Sequence, residues 1–132
     1  MKMKIYILPI VVLIGCFGYS QDKNKEQLKK ERKATDWVYE ANKLAQKEDY
    51  ISAEMEYRKA ISNAPSKAVG SYNLANTYYK KGNYNEALFR TQEAVENANT
   101  KDEKHRAFHN LGNILMKEEN CKEAVEAFKN AL

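Results

Sequence analysis

The stretch from Asn73 to Ala94 places two amphipathic runs on either side of Lys80-Lys81-Gly82-Asn83, and the same grammar occurs twice more in the chain. Lys80 and Lys81 put positive charge where the first run would end as a helix, and Gly82 can take the left-handed conformation that closes it. Asn83 followed by Glu86 predicts a capping box that opens the next helix. Such a hairpin cannot bury its apolar face alone, so copies must stack on it. Ala53, Ala87 and Ala124 mark the copies, spaced by 34 and then 37 residues. The three extra residues fall between Ala98 and His105, where a Thr100 cap starts the following helix about one turn early.

Taken in order, Asn24 and Gln27 predict a first helix from Lys25 to Lys47 with Trp37, Ala41 and Leu44 inward. The stripe thins upstream of Ala34, so residues 21–33 form a charged, exposed extension. Asp49 caps a second helix, Tyr50 to Asn63, with Ala53, Tyr57 and Ala60 on one face, and Pro65 ends it. A third helix, Lys67 to Lys81, buries Leu74, Ala75 and Tyr78, and a fourth runs from Tyr84 to Asn97. Thr100 with Glu103 opens a fifth helix carrying Phe108, Leu111, Gly112 and Leu115. Asn120 with Glu123 opens a sixth, with Ala124, Phe128 and Ala131 on one face. No segment alternates as a half-buried strand would, so the class is all-α.

The N-terminus differs from the rest. Lys2 and Lys4, the apolar run Ile5 to Ile14 and the small, turn-prone Gly15 to Ser20 follow the three-part order of a secretory signal over residues 1–20. The apolar segment to Tyr19 would span about 22 Å as a helix against a hydrocarbon core of about 30 Å, which favours a leader over a permanent anchor. Two processing routes stay open: a cut after Gly18-Tyr19-Ser20, leaving Gln21 first, or lipidation of Cys16 within the lipobox-like Leu13-Ile14-Gly15-Cys16. The first predicts an exported, periplasmic protein and the second a membrane-associated one. After the cut at Gln21, Cys121 is the sole cysteine and no internal disulfide can form. The formal charge of +4 falls to +2 when Lys2 and Lys4 leave, too balanced for a nucleic-acid partner.

The units, residues 34–67, 68–101 and 105–132, resemble tetratricopeptide repeats (TPR). In unit one Trp37, Ala41, Leu44, Ala53, Tyr57, Ala60 and Pro65 fit the pattern and Glu40 departs. In unit two Leu74, Ala75, Tyr78, Ala87 and Ala94 fit, while Ser71, Thr91 and Asn99 depart. In unit three Phe108, Leu111, Gly112, Leu115, Ala124, Phe128 and Ala131 all fit. The resemblance implies a solenoid of antiparallel helix pairs, with two full repeats and a third cut short at Leu132, whose apolar end downstream residues would cover. The exported start, the phrase Tyr72 to Lys81 and the phrase Glu103 to Asn113 also resemble the exported TPR proteins of bacterial aerotolerance (Bat) gene clusters, BatC type. That resemblance implies an envelope adaptor partnered by membrane-bound von Willebrand A-domain proteins.

In a TPR stack the first helix of each unit lines the concave side, which places Asn42, Tyr72, Asn73, Asn76, Tyr79, Arg106, His109, Asn110 and Asn113 there as candidate partner-binding residues. A groove of amides, aromatics and one guanidinium suits an extended peptide, whose backbone offers donors and acceptors in turn. Some TPR domains grip a peptide's terminal carboxylate; carried over, the gripping positions are Val38, Asn42, Asn73, Arg106 and Asn110, with a lysine and an arginine replaced. The resemblance thus implies capture of an internal peptide. His105 and His109 with Asp102 leave a metal without a fourth ligand, so no metal is expected. Cys121 has neither adjacent base nor electropositive surroundings in the sequence. With no phosphate-cradling loop or paired catalytic carboxylates, the chain is expected to be no enzyme and to need no cofactor or small-molecule substrate. The expectation is a scaffold that binds a protein or peptide, with a lipid-anchored assembly protein as the alternative and an accessory domain to an enzyme as a third.

Overall fold

Six helices follow one another in the computed structural model, which describes the backbone of residues 10–132 and the side chains of residues 22–132. They are α1 (Ile10–Gln46), α2 (Tyr50–Asn63), α3 (Ala68–Lys80), α4 (Tyr84–Glu96), α5 (Lys101–Lys117) and α6 (Cys121–Asn130), with no strand among the described residues. Residues 1–9 of the expected leader and the side chain of Cys16 lie outside the described residues.

The hairpins α1–α2, α3–α4 and α5–α6 close through turns of one construction. Glu48, Gly82 and Glu119 each adopt a positive φ, of 61°, 78° and 60°. The next residue then donates its backbone N–H back to the helix: Asp49 to Leu44 at 3.0 Å, Asn83 to Tyr78 at 2.9 Å and Asn120 to Leu115 at 2.8 Å. This is the Schellman closure of a helix end. Gly82 satisfies the expectation made for it, whereas the other two turns place glutamates in the same conformation.

The helix starts divide. Asp49 accepts from the Ser52 N–H at 3.2 Å, and Thr100 with Glu103 forms the full reciprocal capping box. Asn83 and Asn120 occupy N-cap positions without a side-chain bond, so the boxes predicted with Glu86 and Glu123 do not form. Asn24 caps nothing either, because α1 is unbroken from Ile10. Between Ser20 and Gln46 there is no glycine or proline to interrupt it, and an interior asparagine costs a helix only a few tenths of a kcal/mol.

Small residues set the helix spacing. Ala41, Ala53, Ala75, Ala87 and Ala124 are fully buried, and the Phe128 ring lies so close on Gly112 that a Cβ there would meet it at 2.5 Å. Side chains this small let ridges of one helix settle deep into the grooves of the next. Tyr57, Leu74, Tyr78, Ile114 and Leu115 fill the remaining space. Ser71 and Thr91, which depart from the repeat pattern, are nevertheless buried. The Ser71 hydroxyl donates to Glu93 at 3.2 Å, whereas the Thr91 hydroxyl has no partner.

The backbones of the first helices of successive units approach closely, α1 to α3 and α3 to α5, whereas among the described residues no Cα of α2 comes within 8 Å of one in α4, nor of α4 within 8 Å of one in α6. The stack therefore bends toward its first helices, and α1, α3 and α5 line the inside of the bend.

Candidate partner-binding groove

Asparagines on the concave side meet across each unit boundary. The Asn73 amide on α3 donates to the Asn42 carbonyl on α1 at 3.0 Å, and the Asn110 amide on α5 donates to the Asn76 carbonyl on α3 at 2.5 Å. The two rungs join equivalent positions, because each pairs an asparagine late in one unit's first helix with one a turn earlier in the next. Each rung leaves one amide atom per residue for a ligand. Asn113 stands where Asn42 and Asn76 stand in their units, and it contacts the His109 ring at 3.2 Å instead.

Asn42 carries a further bond that the sequence did not announce: the Tyr57 hydroxyl, from α2, donates to the same carbonyl at 2.7 Å. Burial pushes the Tyr57 phenol up to about 12, with the Thr77 hydroxyl pulling weakly the other way. Tyr57 was legible as a core residue, but a buried tyrosine also needs a partner for its hydroxyl, and that requirement was the available signal. Asn42, Tyr57, Asn73, Asn76 and Thr77 line one cleft of about 230 Å³.

A second cleft, about 350 Å³, opens beside it between Tyr72, Asn73, Glu103, Arg106 and Ala107. The Arg106 guanidinium lies 5.8 Å from the Tyr72 ring centre and pairs with Asp102 at 2.7 Å. Glu103 is held below the usual carboxylate range by the Asn99 backbone N–H, with burial opposing and the Thr100 N–H adding to it. The cleft is therefore flanked by two carboxylates and one cation, and Val38, at the place of a carboxylate-gripping lysine, is buried in the core. A ligand carboxylate would meet more negative than positive charge here.

Of the other candidate residues, Tyr79 turns toward Tyr84 at 5.6 Å and lines neither cleft. His109 packs edge-on against Phe128 at 5.7 Å, and the His105 ring meets the Ala131 carbonyl at 2.5 Å. Both histidines thus sit against α6. Among the described residues no group of three His, Cys, Asp or Glu side chains converges on a common point, and Cys121 is exposed.

The repeated hairpin, its shared turn and the asparagine rungs define a helical-repeat scaffold. The chain contains tetratricopeptide repeats: family models described as tetratricopeptide repeat match residues 56–89 and 105–132. Among solved structures it is similar to the second TPR of Spaghetti (RPAP3) bound to the HSP90 peptide SRMEEVD, at 22% identity over 81% of this chain and 95% of that one, with a TM-score of 0.73. It is also similar to YrrB, described as a TPR protein with an unusual peptide-binding site, at 28% identity over 87% of this chain and a TM-score of 0.67. MamA superposes with a TM-score of 0.68 at 20% identity over 74% of this chain. The chain spans about half the length of the last two, 55% and 56%.

Proposed function

We propose that this protein is an exported, non-catalytic adaptor that holds a protein or peptide partner, in extended form, along the groove of α1, α3 and α5. The observation that carries this reading is the pair of asparagine rungs, Asn42–Asn73 and Asn76–Asn110. They are fixed by bonds to each other and so present their remaining amide atoms, already ordered, to a peptide backbone. Peptide complexes of the similar Spaghetti domains and the peptide-binding site of YrrB support the reading. The buried Val38 and the amide of Asn110, at two places where a carboxylate-gripping cation would stand, argue for an internal peptide segment over a terminal carboxylate.

The signal-like order of residues 1–20 supports export to the periplasm, and the resemblance to BatC-type proteins supports a place in an envelope aerotolerance complex with membrane-bound von Willebrand A-domain partners. The lipobox-like Leu13 to Cys16 favours a second reading, a lipid-anchored assembly protein. Mass spectrometry of the mature N-terminus separates the two, since Gln21 as first residue supports the soluble form and a lipidated Cys16 the anchored one. For the groove, affinity capture from envelope extract is compared between wild type and Asn73→Ala with Arg106→Ala. A partner held by the first and lost by the second supports the adaptor, and equal recovery contradicts groove binding.

A further inference from the structure

The N-terminal part of α1 carries cations on one face. Lys25, Lys29, Arg32 and Lys33 are spaced i, i+4, i+7 and i+8, so they share one side of the helix over about 12 Å. All four are exposed. The neighbouring glutamates are engaged elsewhere: Glu26 pairs with Lys30 at 2.9 Å and Glu31 with Lys67 at 3.0 Å. No ion pair among the described residues joins the four cations to a carboxylate, although Asp22 and Asp36 flank the stripe at its two ends. Lys33 also lies over the Trp37 ring at 5.0 Å.

Two features of placement say what such a stripe faces. The last tertiary ties of α1 before it leaves the repeat body are the Asn63 amide on the Lys30 carbonyl, at 2.6 Å, and the Glu31–Lys67 pair; residues 22–30 are exposed on all sides. Among the described residues Lys25, Lys29 and Lys33 thus have no wall beside them and line no cleft, whereas Arg32, where the rod meets the repeat body, lines a cleft of about 300 Å³ with Leu28, Glu31 and Lys67. The same unbroken helix runs back to Ile10, through the apolar sequence that ends at Tyr19, about 9 Å along the axis from Lys25. While the chain retains that apolar run, before any cut at Gln21, a lipid surface that takes up the run brings the cations within roughly one Debye length of its headgroups.

We propose that the stripe Lys25, Lys29, Arg32 and Lys33 docks the protein on an anionic lipid surface. A long, flat array of phosphates matches a convex row of cations of which three line no cleft, whereas an acidic polypeptide would be favoured by a site walled along its length. The docking is independent of what the groove binds.

The test is co-sedimentation of the full chain with vesicles of phosphatidylcholine alone and of roughly two parts phosphatidylcholine to one part phosphatidylglycerol. Neutral vesicles report the apolar run, and the excess binding to anionic ones reports the stripe. The expected result is an excess that collapses at high salt and falls at least tenfold in K25E/K29E/R32E/K33E. A control with the same charge change at exposed cations of α5 and α6, K101E/K104E/K117E/K122E, should keep most of it, with circular dichroism confirming that both variants fold. No excess on anionic vesicles, or equal loss in both variants, overturns the proposal. So does stripe-dependent binding to polyglutamate without an excess on anionic vesicles, which would assign the stripe to an acidic protein.

Discussion

Tyr57 and Asn42, on the two helices of the first hairpin, are joined hydroxyl to amide carbonyl at 2.7 Å, and the same carbonyl takes the Asn73 amide from the next unit. One acceptor thus ties a hairpin to itself and to its neighbour, with the first groove cleft built around it. The groove cannot be loosened without loosening the stack.

Tyr57→Phe should therefore cost about 1 kcal/mol of stability at neutral pH, the usual value of a lost buried hydrogen bond. The pH dependence has a definite sign. An unfolded tyrosine ionises near 10 and the folded Tyr57 at about 12, so its stabilising effect is complete below pH 10 and is lost as pH rises toward 12. Urea midpoints of wild type and Tyr57→Phe should converge early in that window and then cross, because the cost of ionising the buried phenol comes to exceed the lost hydrogen bond; a constant gap would contradict the raised Tyr57 phenol.

Gly112→Ala should destabilise by about 1–3 kcal/mol, because the new methyl meets the Phe128 ring at 2.5 Å and the ring must move against α5. Adding Phe128→Leu should recover part of the loss, giving a coupling of at least about 1 kcal/mol in a double-mutant cycle. Additive effects would mean that the two residues do not share this contact.

Glu48 and Glu119 hold left-handed backbone that costs an L-residue about 1 kcal/mol and glycine little. Glu48→Gly and Glu119→Gly should each raise stability by about 0.5–1 kcal/mol, and Gly82→Ala should lower it by about as much. Nothing lies within 4 Å of a Cβ built on Gly82, so the effect there is torsional and not steric. Thermal midpoints that move in the opposite direction would contradict the turn assignment.

These turns also show where sequence reasoning stops. The repeat register was legible from Ala53, Ala87 and Ala124, since only small side chains fit where helices cross, and Gly82 announced its turn. Glu48 and Glu119 announced nothing, because their conformation is imposed by hairpin closure against local preference. Asp49 and Thr100 cap as expected, whereas Asn24, Asn83 and Asn120 carry the same signature without the bond: the pattern states that a cap can form, and the backbone before it decides. In the groove the asparagines were legible by register, but their pairing across units was not, since it depends on the curvature that brings α1, α3 and α5 together.

Thr91 holds the place that Tyr57 and Phe128 fill in the other units, and its buried hydroxyl has no partner. Thr91→Val should stabilise by about 1 kcal/mol by removing an unsatisfied polar group. A loss of stability in a chemical denaturation curve would show that the hydroxyl finds a bond, such as one through a bound water.

The measurement that bears most directly on the groove is a paired titration with a captured partner peptide. Amidating the peptide's C-terminus should leave affinity nearly unchanged, because Val38 and Asn110 stand where two gripping cations would be and Arg106 is left alone beside Asp102 and Glu103. Asn73→Ala with Arg106→Ala should weaken binding at least tenfold, or about 1.4 kcal/mol. Loss of binding on amidation would mean that the groove grips a terminal carboxylate after all, and indifference to the double substitution would contradict the groove as the binding site.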